Sequence, residues 1–156
     1  MIQVYDSDAN TGNEALDTIL MEKSLYCNLH GIEWTCVADG KLLEGIDVVD
    51  LFTMLGNALD NAVEGVEKCP GDQLKSIAVR IWQKDLFTVI DVKNTCSEEV
   101  RFSNGLPITS KGDTANHGFG VRSIRSIAEK YGGTVNIKAE NNLFTLTILF
   151  PSVNFT

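Results

Sequence analysis

Apolar residues recur at helical spacing in three stretches of the chain and at strand spacing in five. In "TGNEALDTIL" Thr11 stands three residues before Glu14, the capping-box spacing, and Ala15, Leu16, Ile19 and Leu20 follow with a period near that of a helix. This helix is expected to run to about His30, with Gly31 as its left-handed stop. "IEWTCVA" then reads as a strand ending near Asp39 and Gly40. A second helix is expected over roughly Val49 to Lys68, ended by the breaker "CPGD". "LKSIAVRIW" and "LFTVIDVK", linked by "QKD", form a hairpin pattern. Residues 95–116 show little periodicity and read as one long loop, a length that in a compact domain usually serves function. A third helix, opened by Gly118 and Gly120, puts Val121, Ile124, Ile127, Ala128 and Tyr131 on one face and stops at "YGG". "TVNIKA" and "LFTLTILF" flank "ENN" as a second hairpin. Hairpins interleaved with amphipathic helices predict a mixed sheet covered by helices on one face.

The length of 156 residues suits one domain with one core. A net charge of −8 leaves no large basic surface for phosphate backbones, so nucleic acid is not an expected partner. The longest apolar run, "LFTLTILFP", is too short to span a bilayer, and the opening residues do not read as a charged-then-apolar leader. Cys27, Cys36, Cys69 and Cys96 form no C-x-x-C pair and have no histidines at zinc spacing; they read as reduced thiols, with a disulfide pair as the less favoured reading.

Chemistry enters on the second helix. Wound at 100° per residue, "DLFTMLGNALDNAVEGV" gathers Leu51, Leu55, Leu59, Ala62 and Val66 on one side, with Asn57, Asn61 and Glu64 in a stripe opposite and Asp60 beside them. Asparagine is a poor helix residue because it competes for backbone hydrogen bonds, so two in one stripe call for a reason. Two readings stay open: the stripe is the wet face of an amphipathic helix, or the amide oxygens are hard ligands for Mg²⁺, which keeps waters and shares its shell with substrate phosphates.

A phosphate site is offered by "NHGFGVRSIR". Glycines at a helix start let an anion approach free N–H groups at the positive end of the dipole. Arg122 in the expected first turn and Lys111 in the preceding loop add charged donors, and His117 is a further one. The alternative is a tight loop-to-helix turn with no ligand. The spacing is neither a P-loop nor a complete G-x-G-x-x-G.

The order of these features resembles the GHKL (Bergerat-fold) ATP-binding domain, and specifically the catalytic domain of sensor histidine kinases of the accessory-gene-regulator type, used in Gram-positive peptide quorum sensing. "GNEALDTIL" and "CVADG" resemble the opening of that domain, "LGNALDNAVE" its N box, and "TSKGDTANHGFGVRSI" its lid and second glycine box. The resemblance implies a two-layer α/β (α+β) sandwich with a mostly antiparallel mixed sheet, ATP lying between the N-box helix and the lid. On it Asn61 is the Mg²⁺ ligand and Asn57 its companion toward the phosphates. Gly118 and Gly120 face the phosphates, Lys111 and His117 are lid contacts, and Thr145, six residues before Pro151, lies near the adenine. Asn94 stands where the family has an adenine-binding Asp, with Cys96 and Glu98 in place of glycines, and Glu64 where many such kinases have a basic phosphate contact.

The resemblance further implies that residues 1–10 are a linker remnant and 11–156 the catalytic domain. The phosphoacceptor histidine would lie on an upstream dimerisation domain, the phosphate would pass to a cognate response regulator, and this piece alone would be a monomer binding ATP and Mg²⁺ with little chemistry of its own. The domain is expected in the cytoplasm and the intact protein in the membrane. A degenerate interaction module and a serine kinase of the anti-sigma-factor type stay open as other readings of the same fold.

Overall fold

A computed structural model describes residues 10–95, 101–103, 106–108 and 114–152, with side chains described over 10–95 and 120–152. Helix α1 (Glu14–Leu29) is capped by Asn13, whose Oδ1 accepts from the Leu16 N–H at 3.1 Å, and not by Thr11. Gly12 takes a left-handed φ of 94°, and the chain so turned sends the Thr11 hydroxyl to Asp17 Oδ1 at 2.6 Å. The capping-box pattern therefore fails by register: Glu14 is the first residue of the helix. At the other end Gly31, at φ 70°, stops α1 as its sequence position suggested.

Strand β1 (Glu33–Ala38) leads through a short 3₁₀ turn (Gly40–Leu43) to helix α2 (Val48–Glu67), capped by Asp47 Oδ2 accepting from the Val49 N–H at 3.0 Å. Strands β2 (Ser76–Lys84) and β3 (Phe87–Thr95) form the first hairpin. Its turn is tighter than "QKD", since Gln83 and Lys84 pair with Thr88 and Phe87 and Asp85 makes the left-handed step at φ 56°. The stretch read as one loop contains two short strands, β4 (Arg101–Ser103) and β5 (Leu106–Ile108), paired with each other apart from the main sheet. Helix α3 (Thr114–Lys130) begins ahead of the glycines expected to open it. Glycine weakens a helix interior by about 1 kcal/mol without forbidding it, and α3 offsets that by packing along α2. Strands β6 (Thr134–Glu140) and β7 (Leu143–Pro151) close the chain around Asn141 and Asn142, both left-handed at φ 54° and 61°, as a two-residue hairpin demands.

The five-stranded sheet runs β1-β2-β3-β7-β6, with β1 parallel to β2 and every other pair antiparallel. Alternation along each strand sends Ile77, Val79, Ile81, Ile90, Val92, Leu146, Ile148 and Phe150 to one face, where they are buried with the apolar sides of the three helices. Helix α2 lies over β2 and β3, α3 against β6 and β7, and α1 against β1. This is the two-layer sandwich the sequence predicts. Among the described residues no helix is long and apolar enough to cross a membrane.

One polar cluster ties the helices together. Asp50 Oδ2, in the first turn of α2, accepts from Lys130 Nζ at 2.7 Å and from the Tyr131 hydroxyl at 2.6 Å, while Tyr131 Oη accepts from the Asp47 N–H at 3.0 Å. The hydrogen bonds from Lys130 and Tyr131 hold the Asp50 carboxyl below its ordinary 3.8, and the Asp50 carboxylate holds Lys130 above 10.5. Burial, and then the bond to Asp50, push Tyr131 above 10.0. The charged Asp50 thus adds stability in full above about pH 4, lost as pH falls through its lowered value; the Lys130 contribution is full below about pH 10.5 and lost as pH rises beyond it. An Asp50→Asn variant should melt lower than the parent at pH 7, with the gap closing below pH 4 and above pH 10.5 in a pH series of melts. In the core, Leu59, fully buried, should cost about 3 kcal/mol on truncation to Ala, a fall in melting temperature of roughly 6 to 12 °C for a domain of this size, readable by calorimetry.

Candidate functional site

Helix α2 buries Leu51, Met54, Leu55, Ala58, Leu59, Ala62, Val63 and Val66. Its two flanks then differ. On one, Asp60 pairs with Lys23 of α1 at 2.5 Å and Glu67 accepts the Tyr26 hydroxyl, so these carboxylates belong to the α1–α2 seam. On the other flank Asp50, Asn57 and Asn61 follow at intervals of seven and four residues, the spacing of one helix edge. Asp50 already marks this as the edge that meets α3. Both asparagines are half-buried, and neither amide has a hydrogen-bond partner among the described residues.

Because the first turn of α2 holds the last turn of α3 and the helices pack along one another, they run antiparallel. At about 1.5 Å per residue, the backbone at Gly118 and Gly120 comes level with the turn of α2 that bears Asn61. A Cβ built on Gly120 would meet nothing within 4 Å, so the backbone there is open to approach.

Further along the same edge comes Gly65, four residues past Asn61, and beneath it lies Asn94. Asn94 ends the inward face of β3, opposite Phe144 of β7 and Ile77 of β2, and is only 2% exposed. Its Nδ2 donates to the Thr95 carbonyl at 2.9 Å. A side chain at position 65 would collide with the Asn94 amide, whose Cγ lies 3.2 Å from where a Cβ would stand. One turn on, the Cys69 thiol meets the Thr95 carbonyl at 3.6 Å, and the Ser76 N–H donates to Thr95 Oγ1 at 3.1 Å. The ends of α2 and β3 and the start of β2 are thereby clasped around this corner. Three carboxamides and one glycine thus follow a single helix edge down to the sheet.

Residues 46–151 match the family model of the GHKL domain, 106 positions that include α2, Asn94 and α3. The chain belongs to the GHKL domain family. Over 146 residues it is 27% identical to a probable C4-dicarboxylate sensor kinase of Halalkalibacterium halodurans, a match covering 89% of this chain and 27% of that protein. The chain therefore spans about a quarter of the length of this curated relative. Among solved structures, the nucleotide-free catalytic domain of the histidine kinase ThkA superposes with a TM-score of 0.65 at 17% identity, over 89% of this chain and 92% of that one. The histidine kinase AdeS of Acinetobacter baumannii superposes with a TM-score of 0.58 at 12% identity, over 90% of this chain and 64% of that one. At those identities the likeness is one of fold: this GHKL domain has the α/β sandwich of histidine kinase catalytic domains.

Within the GHKL sandwich the residues expected to form a site separate into groups. Asn57, Asn61 and Asn94 share the α2 edge and the sheet beneath it. Gly118 and Gly120 lie in the body of α3, the fifth and seventh residues of the helix, so the free N–H groups of its start fall to Thr114–His117 instead. Arg122 is exposed two residues beyond Gly120, well past the first turn. Lys111, Cys96 and Glu98 lie outside the described residues, as does the side chain of His117. Thr145 is not brought to the group. It pairs with Lys93 and Lys138 on the face away from the helices, because Phe144 and Leu146 take the inward positions of β7. Gly65 went unnoticed in the sequence, although a glycine four residues past Asn61 inside a clean amphipathic pattern signals close approach of another group.

Among the described residues no group of three or more His, Cys, Asp or Glu side chains is placed to hold a metal ion. A cation on this edge would rest on the amide oxygens of Asn57 and Asn61, its own waters and the anion it accompanies. That donor set fits Mg²⁺.

Proposed function

We propose that this GHKL domain binds Mg·ATP along the α2 edge and presents it to a phosphoacceptor histidine on an upstream dimerisation domain, as the catalytic domain of a two-component sensor histidine kinase. The observation behind this reading is the line of carboxamides Asn57, Asn61 and Asn94 on one helix edge and the strand end beneath it, in a chain of the GHKL family. Asn61, with Asn57, holds the cation. Asn94 reads the base. Gly118, Gly120 and His117, with Lys111 and Arg122, attend the phosphates. Phosphoryl transfer asks a protein chiefly for positioning and charge stabilisation, and needs no general base among these residues. The bond from Pγ of ATP to the β–γ bridging oxygen breaks, ADP departs with that oxygen, and the phosphoryl group bonds to an imidazole nitrogen of the acceptor.

The sequence likeness of the opening and of the N box supports the accessory-gene-regulator, peptide quorum-sensing branch, with residues 11–156 as the catalytic domain and 1–10 as a linker. The intact protein is then anchored in the membrane with this domain in the cytoplasm, dimerises through its upstream helices, and hands its phosphate to a response regulator.

Melting the chain with ATP, ADP and GTP, each with and without Mg²⁺, tests the nucleotide site. Ligand at 100 times its dissociation constant stabilises by about 2.7 kcal/mol, roughly 5 to 10 °C here. The shift should be adenine-selective and blunted in Asn61→Asp and Gly118→Ala. Thr145→Val should leave it unchanged, since Thr145 faces away from the helices. No shift with any nucleotide would end the reading. For the kinase step, a longer chain restoring the upstream helices should take an acid-labile, phosphohistidine-type label from ATP; correctly folded protein that takes none would refute it.

A further inference from the structure

We infer that Gly65 is a positioning residue for base selectivity: by leaving room beneath α2 it fixes the Asn94 amide with its nitrogen turned inward and its oxygen left for the base. This rests on the nucleotide-binding reading above and adds a residue to it. A neutral amide has an acceptor end and a donor end, and a freely turning Asn94 would serve a 6-amino purine through one and a 6-oxo purine through the other. The geometry removes that ambiguity. Nδ2 is 2.9 Å from the Thr95 carbonyl oxygen. Turning the amide over would set Oδ1 against that carbonyl, acceptor against acceptor, at a side chain only 2% exposed.

Gly65 holds the arrangement from above. Of the atoms around the point where its Cβ would stand, Nδ2 is nearest, Cγ is at 3.2 Å and Oδ1 is furthest at 3.5 Å. The helix backbone therefore covers the nitrogen end of the amide. Any side chain at 65 displaces the amide, whereas glycine, among the poorest helix formers, leaves it in place. The oxygen that remains accepts from the exocyclic N–H of adenine and repels the 6-oxo group of hypoxanthine or guanine. Selectivity then depends on a residue that need not touch the base.

The chain should be titrated calorimetrically with Mg·ATP, Mg·ITP and Mg·GTP, alongside Gly65→Ala and Asn94→Asp. The parent is expected to prefer ATP over ITP by about tenfold, the worth of one good hydrogen bond against one repulsive contact. Gly65→Ala should bring that ratio to within about twofold of unity while melting, without nucleotide, within a few degrees of the parent; a merely structural role would lower both affinities and leave the ratio. Asn94→Asp should bind ATP at least about fivefold more weakly, because a carboxylate oxygen then faces the Thr95 carbonyl, and this variant decides the matter if Gly65→Ala does not fold. An unchanged ratio in folded Gly65→Ala, or an Asn94→Asp variant that keeps both affinity and selectivity, overturns the inference and leaves nucleotide binding standing. A parent that binds ATP and ITP equally overturns it too. A parent that binds neither overturns the nucleotide reading with it.

Discussion

The burial of one side of α2 against β2 and β3 is the constraint from which the remaining arrangement follows. Eight apolar side chains of that helix leave water, and each large one contributes on the order of 1.5–3 kcal/mol. The two asparagines cost at most about 0.7 kcal/mol apiece in helix propensity, and Gly56 and Gly65 about 1 kcal/mol each. Burial wins by a wide margin. The helix can therefore spend its flanks on residues that are poor for a helix, and it does so asymmetrically: Asp60 and Glu67 toward α1, Asp50, two amides and a bare glycine toward α3 and the sheet end.

Rotation and register of α2 are held at both ends. At its start Asp50 and Asp47 bind the last turn of α3 and the tyrosine after it. At its end Cys69 and Thr95 bring in the corner of the first hairpin. A helix pinned this way cannot roll, so the line from Asn57 to Asn94 keeps its direction.

Much of this was legible in the sequence. The period of "DLFTMLGNALDNAVEGV" put the right residues inward, and the turn residues located both hairpins, because burial pattern and turn chemistry are local. What was hidden depended on register or on distant contacts. The Thr11–Glu14 spacing is that of a capping box, yet the left-handed Gly12 and the bond to Asp17 moved the cap to Asn13. The glycines of "HGFG" announced a helix start, yet the helix already runs from Thr114. Thr145 is instructive in the other direction: the alternation of Phe144, Leu146 and Ile148 in "LFTLTILF" is enough to turn the threonines outward, and the family pattern outweighed it. Gly65 could signal a close approach but not name the group that makes it, because Asn94 arrives 29 residues later in the chain.

The parallel pairing of β1 with β2 also orders the folding of the domain. The two antiparallel hairpins close over short turns and need little loop entropy. A parallel neighbour cannot be reached by a tight turn, so β1 joins the sheet only when the whole crossover of residues 39–75, α2 included, is laid down. The helix edge that bears the amides is thus carried by the same crossover that lets the edge strand reach its parallel neighbour.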